Sequence, residues 1–428
     1  MPRPIQAMQG GGALKVLHIL HRSVPGTHGY AVRSQEIVGK QAAKGLDVAV
    51  VTSPSQAPAG KLDADRSETI HGVRYYRSCG KLLAPHAEVY DPSPVRSALR
   101  VVQNISLLRM TLRLSASFAP DVIHAHSPFT CGLVGDIVGH IRGIPAVYEM
   151  RGIWEDSHTG RYGLSQASLR YRGVRGLETI ALRNADHCVV IADALSKEVV
   201  SRGVPPERIT VIPNGVDCSR FIPGEADPDL ARGLGLQDSL VMGYIGYFFH
   251  YEGLDLLFQA FASLANEFPM LKLLLVGDGE LMAPLQQMAK ESGLASRVVF
   301  TGRVSHDRIL DYYRLFHLLT LPRRLGRESS LVTPLKPLEI MAMGKPLVAS
   351  DVGGHLEIVE HRVNGLLFKS DSRDSLVDAC RTVLQDEALG RELGRRARKW
   401  VETNRDWNVL VQRYVDLYEK LRARGKDS

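Results

Sequence analysis

The chain has 428 residues, a length typical of two or three domains. With 44% hydrophobic residues, 23% charged residues and a mean hydropathy of −0.08, its composition is that of a soluble globular protein and excludes disordered and fibrous classes. The formal net charge of +7 suits an anionic ligand or an anionic membrane surface, whereas the lack of lysine-rich runs argues against nucleic acid as a partner.

The first half of the chain alternates short apolar runs with helical stretches. Residues 1–13 lack an apolar run of signal-peptide length and are predicted to form a disordered leader. A buried-type strand at 15–20, a glycine loop, a helix from about 32 to 45 and a strand at 47–52 predict a parallel βαβ unit. Further strands are predicted at 73–76, 121–126, 146–149 and 185–191.

A second alternating series follows residues 212–217, which are predicted to cross between two domains. Its strands are predicted at 241–246, 271–276, 297–300, 318–321 and 346–350. We therefore expect an α/β protein with two doubly wound domains facing across a cleft, at 14–211 and 212–404. The last helix, 405–424, has an apolar stripe and is expected to pack back on the first domain. Ligands in such sheets bind beyond the carboxyl ends of the strands.

One long helix is both basic and amphipathic. Residues 94–116 interleave four arginines with leucine, valine and isoleucine. Such a helix can lie on an anionic membrane, and the alternative is a surface helix with a solvated basic face. No apolar stretch reaches transmembrane length, so any membrane contact would be peripheral.

The five cysteines are scattered along the chain without a CxxC pair. They are Cys79, Cys131, Cys188, Cys218 and Cys380. This pattern predicts free thiols in a reducing cytosol, with neither a disulfide framework nor a zinc site.

The segment 323–357 carries the strongest indication of a ligand site. Lys336 and Glu339 are three residues apart, so on a helix they share one face near its N-terminus. A cation at a helix N-terminus suits a diphosphate, and a carboxylate beside it can accept hydrogen bonds from ribose hydroxyls. The following pair, Gly353 and Gly354, would allow close approach of a second backbone segment.

The ordered set of motifs resembles glycosyltransferase family 4, of the retaining GT-B type, over roughly residues 15–420. The motifs are the Gly26/Gly29 loop, Asp121 to His126, Ile212 to Asp217, Gly243 to Gly246, Glu252 to Asp255, Leu275 to Gly279, Phe300 to Gly302, Pro334 to Glu339, Gly353-Gly354 with Glu357, and Asn364-Gly365. Within that family, residues 148–156 and the run from Leu331 to Lys336 resemble the bacterial branch associated with exopolysaccharide and exosortase gene clusters.

The resemblance implies two Rossmann-like domains and transfer from a nucleotide-sugar, a UDP- or GDP-sugar, with retained anomeric configuration. It implies no metal and no cofactor, a glycan or lipid-linked acceptor, and a cytoplasmic enzyme that can associate with the inner face of the membrane. Lys336, with Arg323 and Arg324 as second choices, would neutralise the diphosphate, and Glu339 would hold the ribose. The remaining donor-side residues would be Gly246, Gly279, Arg303, Gly353 and Gly354.

On the first domain, the resemblance implies contacts to the donor phosphates, the transferred sugar or the acceptor. Gly26 and Gly29 would approach the phosphates or the acceptor, and His126 would face the cleft near the transferred sugar. Glu149, Arg151 and Trp154 would contact the acceptor or the sugar from the next strand-end loop. The alternatives are a structural role for His126 and core packing for Trp154.

Two departures from the family pattern bear on function. The first of the family's two glutamates falls at Leu331, and an Arg/Lys pair of many members is replaced by Tyr247 and Glu252. Front-face attack, in which the departing diphosphate takes the acceptor proton, is the favoured mechanism, because a double displacement needs a carboxylate under the anomeric carbon. A nucleotide-sugar epimerase and a catalytically silent nucleotide-sugar-binding module remain alternatives.

Overall fold

The structure, a computed structural model, describes residues 12–26, 29–56, 58–78, 94–156, 165–305 and 307–426, and side chains within these except 94–102 and 425–426. It contains two separate α/β sheets, each built largely from parallel strands. The predicted architecture of two doubly wound α/β domains is confirmed. Most of the predicted leader and Cys79 lie outside the described residues, and the other four cysteines are buried free thiols.

The first sheet has eight strands in the order β3-β4-β2-β1-β5-β6-β7-β8, and only β3 runs antiparallel to its neighbour. The strands are β1 Lys15–Leu20, β2 Asp47–Thr52, β3 Ser67–Ile70, β4 Val73–Arg77, β5 Val122–His126, β6 Ala146–Met150, β7 His187–Val190 and β8 Ile209–Val211. Every residue of β5, β6 and β7 is buried, as expected for parallel strands covered on both faces by helices.

The second sheet has six parallel strands in the order β11-β10-β9-β12-β13-β14. They are β9 Leu240–Ile245, β10 Leu271–Val276, β11 Val298–Gly302, β12 Leu318–Leu321, β13 Leu347–Ser350 and β14 Leu366–Phe368. The last strand of the first sheet ends at Val211 and the first strand of the second begins at Leu240. The domain boundary at residue 212 stays a prediction.

Fifteen α-helices connect and flank the strands in the described part of the chain. They are α1 Gly29–Ala43, α2 Pro94–Phe118, α3 Phe129–Arg142, α4 Leu169–Asn184, α5 Asp193–Ser201, α6 Pro228–Gly233, α7 Leu254–Ala265, α8 Met282–Glu291, α9 Ile309–Leu315, α10 Arg327–Leu331, α11 Lys336–Ala342, α12 Gly353–Leu356, α13 Arg373–Gln385, α14 Glu387–Asn404 and α15 Trp407–Lys426. Among these helices, none combines the length and the hydrophobicity needed to span a bilayer.

Helix α15 returns from the second sheet and packs against the first. Its buried side chains form one hydrophobic cluster with residues of β1, β5, β6 and β7, including Val16 and Val122. Trp407, Tyr414 and Tyr418 are each at most 1% exposed in this cluster. Burying such large aromatic side chains stabilises the contact by roughly 2 to 3 kcal/mol each.

The strand orders locate one switch point in each sheet. The chain leaves β1 in one direction towards β2, and the later strands β5 to β8 extend the sheet in the other direction. In the second sheet, β10 and β11 lie on one side of β9, and β12, β13 and β14 lie on the other. The carboxyl ends of β1 and β5, and of β9 and β12, are therefore the expected ligand-binding positions.

Candidate active site

At the switch point of the second sheet, two cations share one carboxylate. The Nζ atom of Lys336 lies 2.7 Å from Oε1 of Glu252, and Nη2 of Arg323 lies 3.0 Å from the same oxygen. Lys336 also donates a hydrogen bond to the hydroxyl of Tyr244, a residue of β9. Burial opposes the charge of Glu252, but Arg323 and Lys336 outweigh it and lower the pKa of this carboxyl to about 2. Burial lowers the pKa of the Lys336 ammonium, and Glu252 opposes this shift, so two basic side chains face one ionised carboxylate.

A glycine makes room for the lysine. Gly246, directly after β9, has a φ of +148°, which side-chain-bearing residues rarely adopt. A Cβ atom there would lie 2.4 Å from Cε of Lys336. Gly246 thus allows the ammonium group of Lys336 to enter the switch point.

Glu339 lies in the same short helix as Lys336 but has a different partner. Its Oε2 atom accepts a hydrogen bond from the hydroxyl of Tyr313 at 2.7 Å. Burial raises the pKa of the Glu339 carboxyl. Lys336 and Glu339 therefore lie in the first turn of one helix, as their spacing predicts. Lys336 contacts Glu252, whereas Glu339 contacts Tyr313.

Three of the other expected donor-side positions are glycines packed against backbone. A Cβ at Gly353 would lie 2.3 Å from the carbonyl oxygen of Ser330. A Cβ at Gly354 would lie 2.3 Å from the carbonyl oxygen of Val332. Close packing of α12 on α10 therefore requires glycine at both positions, independently of any ligand. Gly279 lies against the backbone of Phe248.

The two remaining donor-side arginines lie apart from the shared carboxylate. Arg324 pairs with Asp255 and Asp371. Arg303 lies 3.4 Å from Asp278, and its side chain is 76% exposed. The structure therefore brings Lys336 and Arg323 together but does not add Arg324 or Arg303 to them.

Glu149 does not occupy the loop that the sequence analysis gave it. It is part of β6 and is fully buried. Its carboxylate accepts hydrogen bonds from Arg33 at 3.0 Å, from Arg151 at 2.5 Å and from Tyr414 at 2.5 Å. Burial opposes its charge, but Arg33 and Arg151 outweigh it and hold the pKa of Glu149 well below its usual range. The expected place of Glu149 in a loop was wrong, because the residue belongs to strand β6 and two arginines enclose its carboxylate. Its contact with sugar stays a prediction.

His126 and Arg151 belong to the same buried network. His126 is 1% exposed, and its Nε2 atom lies 2.8 Å from Nδ1 of His18. Arg151 is 4% exposed and donates a hydrogen bond to Nδ1 of His126. Burial, together with Arg151, lowers the pKa of His126 well below its usual range, so the ring is neutral. The expected exposure of His126 to the cleft is not observed.

Three histidines of this network have the nitrogen spacing of a metal site. One ring nitrogen from each of His18, His124 and His126 lies within 4.8 Å of the others. Two of these rings already hydrogen-bond to each other, and the guanidinium of Arg151 contacts His126. Since a nearby fixed cation opposes a metal ion electrostatically, these residues fit a hydrogen-bonded network better than a metal site.

Aromatic side chains border the switch point of the first sheet. The ring of half-buried Trp154 lies 6.2 Å from that of His21 and 5.8 Å from that of Tyr30. Gly26 closes a turn by donating to the carbonyl of Ser23 at 3.0 Å. Gly29 begins α1, and a Cβ there would lie 3.4 Å from the side chain of Leu335. The start of α1 therefore faces the second-domain segment that precedes Lys336.

Leu331 stands where the family has its first glutamate, and its apolar side chain packs against the first domain. Leu331 and Val332 pack against the hydrophobic cluster of the first sheet. Next to them, Arg327 forms ion pairs with Asp156 and Glu198 of the first domain. Leu331 is thus part of the contact between domains.

Sequence reasoning missed the partners that organise both sides of the site. It treated Glu252 as part of a family motif and as a departure from the family's phosphate-binding pattern, not as a partner of Lys336 and Arg323. It did not single out Arg33, Tyr244 or Tyr313. One signal was available for Glu252, because a carboxylate that replaces a phosphate-binding cation changes the local charge by two units. The other three residues lie in ordinary helix and strand patterns and carry no comparable signal.

The chain matches two protein families. Residues 28–215 match the "Glycosyl transferase 4-like domain" family and residues 229–400 match the "Glycosyl transferases group 1" family, so that the two matches span most of the chain.

Individual relatives and solved structures agree with these matches. A D-inositol 3-phosphate glycosyltransferase of Catenulispora acidiphila is 29% identical over 373 residues, covering 80% of this chain and 87% of that protein. The sucrose-phosphate synthase structure from Thermosynechococcus elongatus superposes with a TM-score of 0.73 at 22% identity, covering 96% and 99% of the two chains. The structure of Anabaena HepE in complex with UDP-glucose superposes with a TM-score of 0.69 at 22% identity, covering 95% of this chain and 100% of that chain. The chain is therefore a glycosyltransferase with the GT-B fold, formed by a 4-like domain and a group 1 domain.

Proposed function

We propose that this enzyme moves a sugar from a UDP- or GDP-sugar to a glycan or lipid-linked acceptor in bacterial exopolysaccharide or cell-surface glycan synthesis. The observation that carries the proposal is the pair of cations, Lys336 and Arg323, at the switch point of the second sheet. Cations fixed in a partly buried cleft stabilise the charge that develops on a leaving diphosphate. Anabaena HepE, solved with UDP-glucose, supports this class of donor.

The proposed reaction retains the anomeric configuration and needs no metal. The acceptor oxygen bonds to the anomeric carbon on the face from which the diphosphate leaves. The bond from that carbon to the phosphate oxygen breaks, and the leaving oxygen takes the acceptor proton. Glu149 is a poor nucleophile for a double displacement, because its carboxylate is buried and already accepts three hydrogen bonds. Lys336 and Arg323 would neutralise the leaving group in place of a metal ion.

A transfer assay tests this proposal. The full chain is incubated with UDP- and GDP-sugars and bacterial lipid extract, with and without EDTA, and the anomeric configuration of the product is read by NMR. We expect transfer with retention that EDTA leaves unchanged. Epimerised sugar formed without acceptor would instead identify an epimerase. Binding of nucleotide-sugar without transfer or hydrolysis would identify a silent binding module.

A face of three adjoining helices supports docking on the inner face of the cytoplasmic membrane. The outer sides of α2, α3 and α4 expose isoleucine and leucine: Ile105, Ile137, Ile141, Leu177 and Ile180. The three helices contain nine arginines and two carboxylates, and of these carboxylates Glu178 is fully buried and Asp136 is half-buried. Cationic and apolar groups without exposed acids complement an anionic lipid surface.

Vesicle binding checks the membrane contact. We expect the chain to sediment with vesicles that contain phosphatidylglycerol and not with pure phosphatidylcholine vesicles. Ile137→Asp combined with Ile141→Asp should reduce this binding at least fivefold, whereas Ile222→Asp should not, because Ile222 is 52% exposed in the second domain. Equal binding to both lipids, or an equal effect of the control, would contradict the contact.

A further inference from the structure

Glu252 lies among the cations that the proposed function assigns to the donor diphosphate. It ends a short turn that follows β9, and its side chain is 1% exposed. Oε1 accepts hydrogen bonds from Lys336 at 2.7 Å and from Arg323 at 3.0 Å, and Oε2 accepts from Arg323 at 3.3 Å. The carboxylate therefore makes the contacts that phosphate oxygens would make.

Two tyrosines hold the three charged groups in place. The ammonium of Lys336 lies 4.6 Å from the ring centre of Tyr244 and hydrogen-bonds to its hydroxyl. The guanidinium of Arg323 lies 5.5 Å from the ring centre of Tyr251. We call these five residues the counter-ion cluster. The two tyrosine rings reduce the exposure of the charged groups to water. Lower exposure strengthens the electrostatic attraction and repulsion between these groups.

The carboxylate and a bound diphosphate would be two anions beside the same two cations. Repulsion between them opposes binding, whereas attraction of both to Lys336 and Arg323 favours it. In a site that lacked Glu252, no carboxylate would neutralise Lys336 and Arg323 in the free protein, and none would repel the bound diphosphate. The free protein would then be less stable, because two cations with little exposure would lack a counter-ion.

We propose that Glu252 is a positioning residue that holds Lys336 and Arg323 at the switch point and lowers their affinity for the nucleoside diphosphate, so that the product nucleotide is released readily. This inference rests on the proposed function, since it assumes that Lys336 and Arg323 bind a diphosphate. A purely structural ion pair would instead leave the nucleotide affinity unchanged or reduced when it is broken.

Titration calorimetry of Glu252→Gln with UDP and GDP tests the inference. We expect the variant to bind the cognate nucleotide at least tenfold more tightly and, without nucleotide, to unfold at a lower temperature. In transfer assays, both KM for the donor and kcat should fall, because the nucleotide is held longer. Glu291→Gln makes the same charge change at an exposed site on α8 and should alter none of these values.

A shorter carboxylate supplies a second variant if Glu252→Gln does not fold. Glu252→Asp keeps the negative charge but moves it away from Lys336 and Arg323. We therefore expect a smaller gain in nucleotide affinity than Glu252→Gln gives. If wild type binds nucleotide and the folded variants bind it no more tightly, the inference is overturned while the proposed function stands. If wild type itself binds neither UDP nor GDP, the proposed function fails first.

Discussion

Replacing Lys336 with alanine should weaken binding of the cognate nucleoside diphosphate by about a hundredfold, since a hydrogen bond to a charged group contributes roughly 1.5–3 kcal/mol and 1.4 kcal/mol is tenfold. The effect is expected to be large for two reasons. The ammonium of Lys336 is directed into the switch point by Gly246 and Tyr244. Its removal also leaves Glu252 with Arg323 as its cationic partner, so the carboxylate repels the diphosphate more strongly.

Calorimetry with UDP and GDP measures this loss. Lys290→Ala is a matched control, because it removes a lysine from an exposed position on α8 in the same domain. The control should bind nucleotide like wild type. An unchanged affinity of Lys336→Ala would remove Lys336 from the site. A double-mutant cycle with Glu252→Gln adds a further check, since the gain from Glu252→Gln should grow when Lys336 is absent and the carboxylate has only Arg323 of these two cations to neutralise it.

The fold was predictable from the sequence because the strands of the parallel sheets are short apolar runs. The strand expected at 271–276 is β10, with the same bounds, and that expected at 318–321 is β12. Sequence analysis missed β3, β8 and β14. These strands have four, three and three residues, and β3 is an antiparallel edge strand with a polar sequence. Pairing with a neighbour, rather than local sequence, determines such strands.

The candidate site was predictable only in part, because its partners are distant in sequence. Lys336 and Glu339 could be placed together, since their spacing on one helix is local. The ion pair between Lys336 and Glu252 joins residues 84 positions apart, and that between Arg33 and Glu149 joins residues 116 positions apart. Such contacts follow from the strand order of each sheet, which the predicted elements did not specify.

The wrong placement of Glu149 has a local physical cause. The residue follows three apolar or aromatic residues and precedes Met150, Arg151 and a glycine, so the sequence favoured the end of the strand. The strand continues through Met150 because Arg33 and Arg151 compensate the buried charge of Glu149. A charged residue in a buried strand is costly unless it is paired, and the partners were not visible locally.

Replacing Arg33 with alanine should destabilise the fold by about 3–5 kcal/mol, the cost of breaking a buried ion pair. Arg33 is 2% exposed and donates to Glu149 at 3.0 Å and to the hydroxyl of Tyr414 at 2.8 Å. It also donates to the carbonyl oxygens of Ile212 and Pro213, each at 2.9 Å. One side chain thus fixes α1, β6, α15 and the segment that follows the first sheet.

Urea unfolding followed by circular dichroism measures this loss, and Arg172→Ala serves as the exposed control, expected to change stability by less than about 0.5 kcal/mol. Arg33→Lys separates charge from geometry. Lysine keeps the positive charge beside Glu149, but its single ammonium cannot reproduce the guanidinium contacts to both carbonyls and to Tyr414. If the lysine variant were as stable as wild type, charge alone would explain the role of Arg33. A loss close to that of the alanine variant is expected instead, because the carbonyls left without a donor are buried between the first sheet and α15.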